Sequence, residues 1–182
     1  MSRDEARGSF RTKCVRKEPR NRRRVQVAVI GGRGVEEGSE VWALAEEVGR
    51  RLAEAGVNVV CGGGGGVMEA ASRGAAAAGG DVIGIVPGTS PDDANEYCTH
   101  VVATGIGHAR NLAVASSGKI VIAIGGEWGT LAEIGFARVI GHQVIALRSW
   151  ELNGRESMSG APGVVPAETA EQAATAALAA LT

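Results

Sequence analysis

Three times in this chain an apolar run of strand character stops on a glycine cluster and restarts as a helix. Residues 25–30 run into Gly31-Gly32-Arg33-Gly34, residues 57–61 into five consecutive glycines from Gly62 to Gly66, and residues 120–124 into Gly125-Gly126. Strands that read as near-continuous Val, Ile and Ala are buried on both faces, the signature of a parallel sheet covered by helices on each side. Glycine at the strand-to-helix turn lets a ligand approach bare main-chain amides, and the free N–H groups of a first helical turn favour an anion. The pattern constrains the chain to a parallel α/β fold that binds phosphate or a nucleotide.

The remaining elements fit that frame. A helix starts near Ser39, presents Val41, Leu44, Ala45, Val48, Leu52 and Ala55 at helical spacing and stops at Gly56. Further helices are expected over about 67–78, through about 117, over about 129–140 and from Thr169 to about 181, where Thr169 and Gln172 resemble a capping box. Strands are expected over 81–86, 100–104, 119–124 and 143–147, whereas 88–96 reads as a polar loop and 148–166 as irregular. The fold class is therefore α/β: a single Rossmann-like three-layer sandwich with a mostly parallel, doubly wound sheet, whose ligand sits at the carboxyl ends of the strands.

Charge divides the chain. Residues 1–24 hold ten Lys/Arg against three acids, a net +7, so the remaining residues carry −8 within the total of −1. That segment reads as a basic, disordered extension preceding a domain at 25–182. It has no apolar stretch fit for a signal or membrane span, and it could reach a nucleic acid only as a charged arm, with Phe10 its one aromatic. Cys14, Cys61 and Cys98 lack metal-ligand spacing, as do His100, His108 and His142, so no metal site is expected. A cytoplasmic, membrane-free protein is the expectation.

The glycine clusters also limit the cofactor. A G-x-G-x-x-G fingerprint would need glycine where Glu36 or Glu37 stands, and Cys61 occupies the place of the acidic ribose ligand, which argues against NAD. Gly65-Gly66-Val67-Met68-Glu69 and Gly129-Thr130-Leu131-Ala132-Glu133 each place a glutamate four residues after a glycine, which predicts Glu69 and Glu133 in the first turns of their helices.

The segments 59–68, Gly107-His108-Ala109-Arg110-Asn111 and Gly126-Glu127-Trp128-Gly129-Thr130-Leu131-Ala132-Glu133 resemble the LOG-like superfamily, which includes cytokinin-activating phosphoribohydrolases and molybdenum cofactor carrier proteins. The carrier-like branch is the nearer. The resemblance covers about 25–147, and its most specific part is the Gly-Thr-x-x-Glu of the motif P-G-G-x-G-T-x-x-E. It implies a homodimer or higher homo-oligomer with nucleotide phosphate held by the loop of Gly126, Glu127, Trp128, Gly129 and Thr130, to which the glycine turns at Gly31, Gly32, Gly63, Gly64 and Gly65 are expected to add main-chain donors. In the hydrolase branch it assigns catalysis to Arg110 and Glu133, a guanidinium for phosphate or base and a carboxylate for the cation that develops on ribose.

Two functions follow from the resemblance. One is a carrier that binds a molybdopterin-type cofactor or related nucleotide without turnover; the other is hydrolysis of nucleoside 5′-monophosphates to base and ribose 5-phosphate. Gly125 for proline, Glu127 for glycine and Asn111 for lysine depart from the hydrolase pattern, and the last two remove or oppose positive charge, which tilts the expectation towards binding. No cofactor is required for either. The lysine decarboxylase label attached to such sequences does not suit the chain: of Lys13, Lys17 and Lys119, only Lys119 falls in the domain, at the start of a strand and the wrong end of the sheet for pyridoxal phosphate.

Overall fold

Strand residues alternate between two cores, and that alternation builds three layers. A computed structural model of the chain describes residues 24–150, 152 and 163–182. Its strands are β1 (Gln26–Gly31), β2 (Asn58–Cys61), β3 (Val82–Val86), β4 (His100–Ala103), β5 (Ile120–Ile124), β6 (Gln143–Leu147) and β7 (Val164–Ala167). All neighbours pair in parallel, in the order β4-β3-β2-β1-β5-β6-β7. The helices are α1 (Glu40–Glu54), α2 (Val67–Ala77), α3 (Arg110–Ser117), α4 (Trp128–Val139) and α5 (Ala170–Ala179).

Val27, Val29, Val59, Cys61, Ile122 and Ile124 point to the face covered by α1, α2 and α5. Ala28, Ile30, Val60, Val121 and Ala123 point to the face covered by α3 and α4. Consecutive strands grow outward from β1 through β2, β3 and β4, then the chain returns across the sheet to β5. Direction therefore reverses between β1 and β5, whose carboxyl ends meet at Gly31 and Ile124. A doubly wound sheet opens a ligand crevice at such a junction.

Local sequence explains the boundaries. Ser39 caps α1 by accepting from Trp42 N–H at 3.3 Å, and Thr169 caps α5 by accepting from Gln172 N–H at 3.1 Å. The Gln172 side chain reaches back to Glu168 N–H, one residue before the cap. Two expectations need correction. Residues 148–166 are not irregular throughout, because Val164–Ala167 adds β7 beside β6; as an edge strand it tolerates Pro166, which cannot donate to a further ladder. The polar loop at 88–96 contains one tight helical turn, Pro91–Asp93, capped by Ser90 accepting from Asp92 N–H.

The basic extension lies outside the described residues except for Arg24, whose Nη1 pairs with Asp81 at 3.1 Å. Among the described residues no helix is long and apolar enough to cross a membrane.

Helices α1 and α2 pack at backbone contact. A Cβ on Gly74 would overlap the Glu46 carbonyl, and one on Gly49 the Ala71 carbonyl, while Arg73 reaches across to Glu46 at 2.8 Å and lies 5.0 Å above the Trp42 ring. Gly135 on α4 faces open space instead. We predict that Gly74→Ala lowers unfolding free energy by roughly 1–3 kcal/mol, as overpacking against a rigid carbonyl does. By contrast, Gly135→Ala is expected to raise it by about 0.5–1 kcal/mol through helix propensity. Urea denaturation measures both, and a Gly74→Ala protein as stable as wild type contradicts the close packing.

Candidate functional site

The carboxyl ends of β1 and β2 are followed at once by turns that carry no side chain, so the sheet opens there into a cleft of about 420 Å³. Gly31 and Arg33 line it from the first loop, Gly62 and Met68 from the second, Gly107, His108, Arg110 and Asn111 from the start of α3, and Glu127, Gly129, Thr130 and Glu133 from α4. The second loop is pinned to the first: Val67 N–H donates to Gly32 O at 3.1 Å, and Gly66 turns with φ 66° so closely over Gly32 O that a Cβ would overlap it. Glycine alone suits a left-handed residue at such an approach.

Arg110 is the centre of the cleft. Its guanidinium lies over Gly62, where a Cβ would overlap Nη1, so the absent side chain of Gly62 is its seat. Nε and Nη1 are buried and have no hydrogen-bond partner among the described residues. Burial pushes the Arg110 pKa down, and the nearby charges of Glu133 and Cys61 oppose that shift. Glu133 is 7% exposed, and burial pushes its carboxyl up to about 7 against the pull of Arg110. Glu133 therefore titrates near neutrality, within the range useful for proton transfer.

Glu133 does not lie in the first turn of its helix. Helix α4 begins at Trp128 with Glu127 as its N-cap, so Glu133 falls in the second turn, where one helical repeat turns it inward. Glu69, by contrast, does sit in the first turn of α2. The Glu127 N–H donates to Thr130 Oγ1 at 3.4 Å, and its side chain turns back to the Thr130 N–H in a capping box. The carboxylate also leans over Gly32, where a Cβ would stand 3.0 Å from Oε1. Thr130, 2% exposed, accepts that bond at its hydroxyl oxygen and lines the cleft.

The cleft gathers Gly31, Arg110, Glu127, Gly129, Thr130 and Glu133 from the residues singled out by sequence. Gly32 is buried beneath Glu127. Gly63 and Gly64 turn their carbonyls to Asn95, which donates its N–H to Gly63 O at 2.7 Å and its Nδ2 to Gly64 O at 2.9 Å, and Gly65 lies beside Glu69 Oε2. Gly126 lines a neighbouring hollow, and Trp128 lies near it. There Trp150 Nε1 would meet a Cβ on Gly126 at 2.6 Å, and Trp128, 78% exposed, lies 5.4 Å from the Trp150 ring. That hollow, about 270 Å³, is lined by Gly125, Gly126, Arg148, Ser149 and Trp150.

Gly62 was not among the ligand residues expected from sequence, and Arg33, an exposed turn residue, joins the lining as well. The available signal was position, since Gly62 follows the last residue of β2 directly and ligands of doubly wound sheets meet the strand ends. His108 lines the cleft, whereas His100 Nδ1 pairs with Thr99 Oγ1 at 3.0 Å and His142 Nδ1 with Ala115 O at 3.2 Å. Lys119 precedes β5, where its Nζ donates to Leu181 O at 3.1 Å. Among the described residues no cluster of three or more His, Cys, Asp or Glu could hold a metal ion.

Comparison with known proteins adds to this geometry. The family model described as LDcluster4, the SLOG cluster4 family, matches residues 24–175. An uncharacterised protein of Archaeoglobus fulgidus is 39% identical over 124 residues, which is 68% of this chain and 80% of that protein. A molybdenum cofactor binding protein from the phototrophic bacterium Rippkaea orientalis superposes with a TM-score of 0.75 at 29% identity, over 88% of this chain and 99% of its own. The molybdenum cofactor carrier protein of Chlamydomonas reinhardtii gives a TM-score of 0.75 at 27% identity, over 87% and 99%.

Glu133 also generates a stability prediction. A carboxyl raised to about 7 from 4.5 binds more protons folded than unfolded. Stability therefore falls as pH rises through that window, and the penalty is complete above it. Glu133→Gln removes the charge, so it is expected to stabilise the chain at about pH 8, by at most about 3 kcal/mol, and to have little effect below about pH 4.5. Thermal unfolding at both pH values measures this, and equal effects at both contradict a buried, neutral Glu133.

Proposed function

The chain belongs to the SLOG cluster4 family, and on that premise we propose that its cleft binds a phosphorylated pterin- or nucleotide-like ligand and holds it as a carrier does. The observation that carries this reading is Arg110, which lines a cleft floored by Gly62 and whose buried Nε and Nη1 have no hydrogen-bond partner among the described residues. Buried donors are almost always satisfied in native proteins, and a charged donor left unpaired is costly. A guanidinium with unmatched donors suits the oxygens of a phosphate.

The surroundings agree with that ligand. The Gly129 N–H and the Thr130 hydroxyl at the α4 N-terminus add donors on the side where the helix dipole is positive. A cleft of about 420 Å³ is in the range of small-molecule sites. The two cofactor-binding structures described above, similar over nearly their whole lengths, support a molybdopterin-type ligand. Glu127, which caps α4 and leans on the first loop, takes up donors that a second phosphate would otherwise use.

Glu133 favours a second reading. A buried carboxyl titrating near neutrality beside an arginine is suited to orienting water or a ribose hydroxyl as an N-glycosidic bond breaks. The chain would then hydrolyse nucleoside 5′-monophosphates.

Binding and turnover separate the two. Titration with molybdopterin, followed by fluorescence, is expected to show saturable binding that Arg110→Ala weakens roughly 10- to 100-fold, the loss expected for charge-assisted hydrogen bonds. Incubation with AMP at high protein concentration is expected to release no adenine. Adenine release that vanishes in Glu133→Ala would establish the hydrolase instead, and neither binding nor release would refute both readings.

A further inference from the structure

Cys61 and Cys98 form a second reactive pair that the cleft chemistry leaves unused. Cys61 ends β2, fully buried on the α1–α2 face, and its register partner on β3 is Gly84. Register partners in a parallel sheet point to the same face, so the missing side chain of Gly84 leaves a gap beside the Cys61 thiol. Cys98 fills that gap: a Cβ on Gly84 would stand 2.7 Å from its sulfur.

The segment carrying Cys98 is held in place by Asn95. Besides binding Gly63 O and Gly64 O, Asn95 accepts from Cys98 N–H at 3.2 Å through its carbonyl and from the Cys98 thiol at 3.6 Å through Oδ1. The Cys61 sulfur lies 3.4 Å from both Ser72 Oγ and the Gly63 N–H. Both cysteines are free thiols; Cys61 is buried and Cys98, half-buried, is the nearer to solvent.

We propose that Cys61 and Cys98 are a redox modification site, a dithiol that a small-molecule disulfide converts into an intramolecular bridge. The steps balance without a further reagent. The half-buried Cys98 sulfur attacks the small disulfide as its proton passes to the Cys61 thiolate, and expels one small thiolate, which takes that proton on. Cys61, as thiolate, then attacks Cys98 Sγ, expels the second small thiolate and closes the protein S–S bond. The two protein protons finish on the released thiols; the protein loses two electrons and the small disulfide gains them.

The hydrogen bond from Cys98 lowers the Cys61 pKa to about 7, with Ser72, the Gly63 N–H and the Arg110 charge acting in the same direction against burial. The same hydrogen bond and burial push Cys98 up. Loss of one proton from the pair therefore leaves a thiolate beside a thiol, and sharing that proton lets either sulfur act. The bridge would close next to Gly63, one residue from the glycine that seats Arg110.

The test incubates the full chain, carrying Cys14→Ser, with oxidised glutathione and maps peptides by mass spectrometry without reduction. The expected result is a Cys61–Cys98 cross-linked peptide. Adding Cys61→Ser is expected to leave one glutathione on Cys98, and adding Cys98→Ser to leave Cys61 unmodified. A stable glutathione adduct on Cys98 with Cys61 present, or no modification of either thiol, overturns the proposal.

Discussion

A guanidinium placed over a glycine, with two of its nitrogens buried and without a hydrogen-bond partner among the described residues, is the constraint on which the rest of this structure turns. Removing that cation from water is unfavourable, and the protein offers only partial compensation through the charges of Glu133 and Cys61. The compensation is itself incomplete, because burial raises the Glu133 carboxyl to about 7, so that near neutral pH it is only partly ionised and attracts Arg110 less. An anion bound there would meet that demand. The geometry of the site depends on the β2 turn, held by Asn95 on one side and by Gly66 against the first loop on the other.

The loop 125–128 separates two environments. Glu127 and the first turn of α4 look into the switch-point cleft, while Gly126 and Trp128 look towards Trp150 at the end of β6. This division gives physical meaning to the departure at position 127. A glutamate there is not simply a negative charge at a phosphate site, because it serves as the α4 cap and leans on Gly32. The cleft is accordingly mixed in charge, with Arg33 and Arg110 facing Glu127 and Glu133. That suits a ligand that carries both an anionic group and hydrogen-bond donors better than a bare polyphosphate.

Much of the fold was legible because buried parallel strands leave an unambiguous mark: β1, β5 and β6 are apolar runs stopped by glycine or polar residues. Strand β7 was not, since Val164, Val165, Pro166 and Ala167 form a short edge whose pairing with β6 is decided by tertiary contact. The candidate site was legible in part. Arg110, Thr130 and Glu133 came from the resemblance, and the structure brings them into one cleft. Counting glycines overstated the second loop, where Gly63 and Gly64 spend their carbonyls on Asn95, and it overlooked Gly62, whose role rests on a side chain from α3. Spacing placed Glu133 in the wrong helical turn because the α4 cap falls at Glu127, two residues before Gly129.

The most direct test of the central claim is a crystal structure of the chain in complex with AMP. The expected result is the phosphate group within hydrogen-bond distance of the Arg110 guanidinium, facing the first turn of α4. A phosphate bound elsewhere, with Arg110 Nε and Nη1 still unpaired, would contradict the claim.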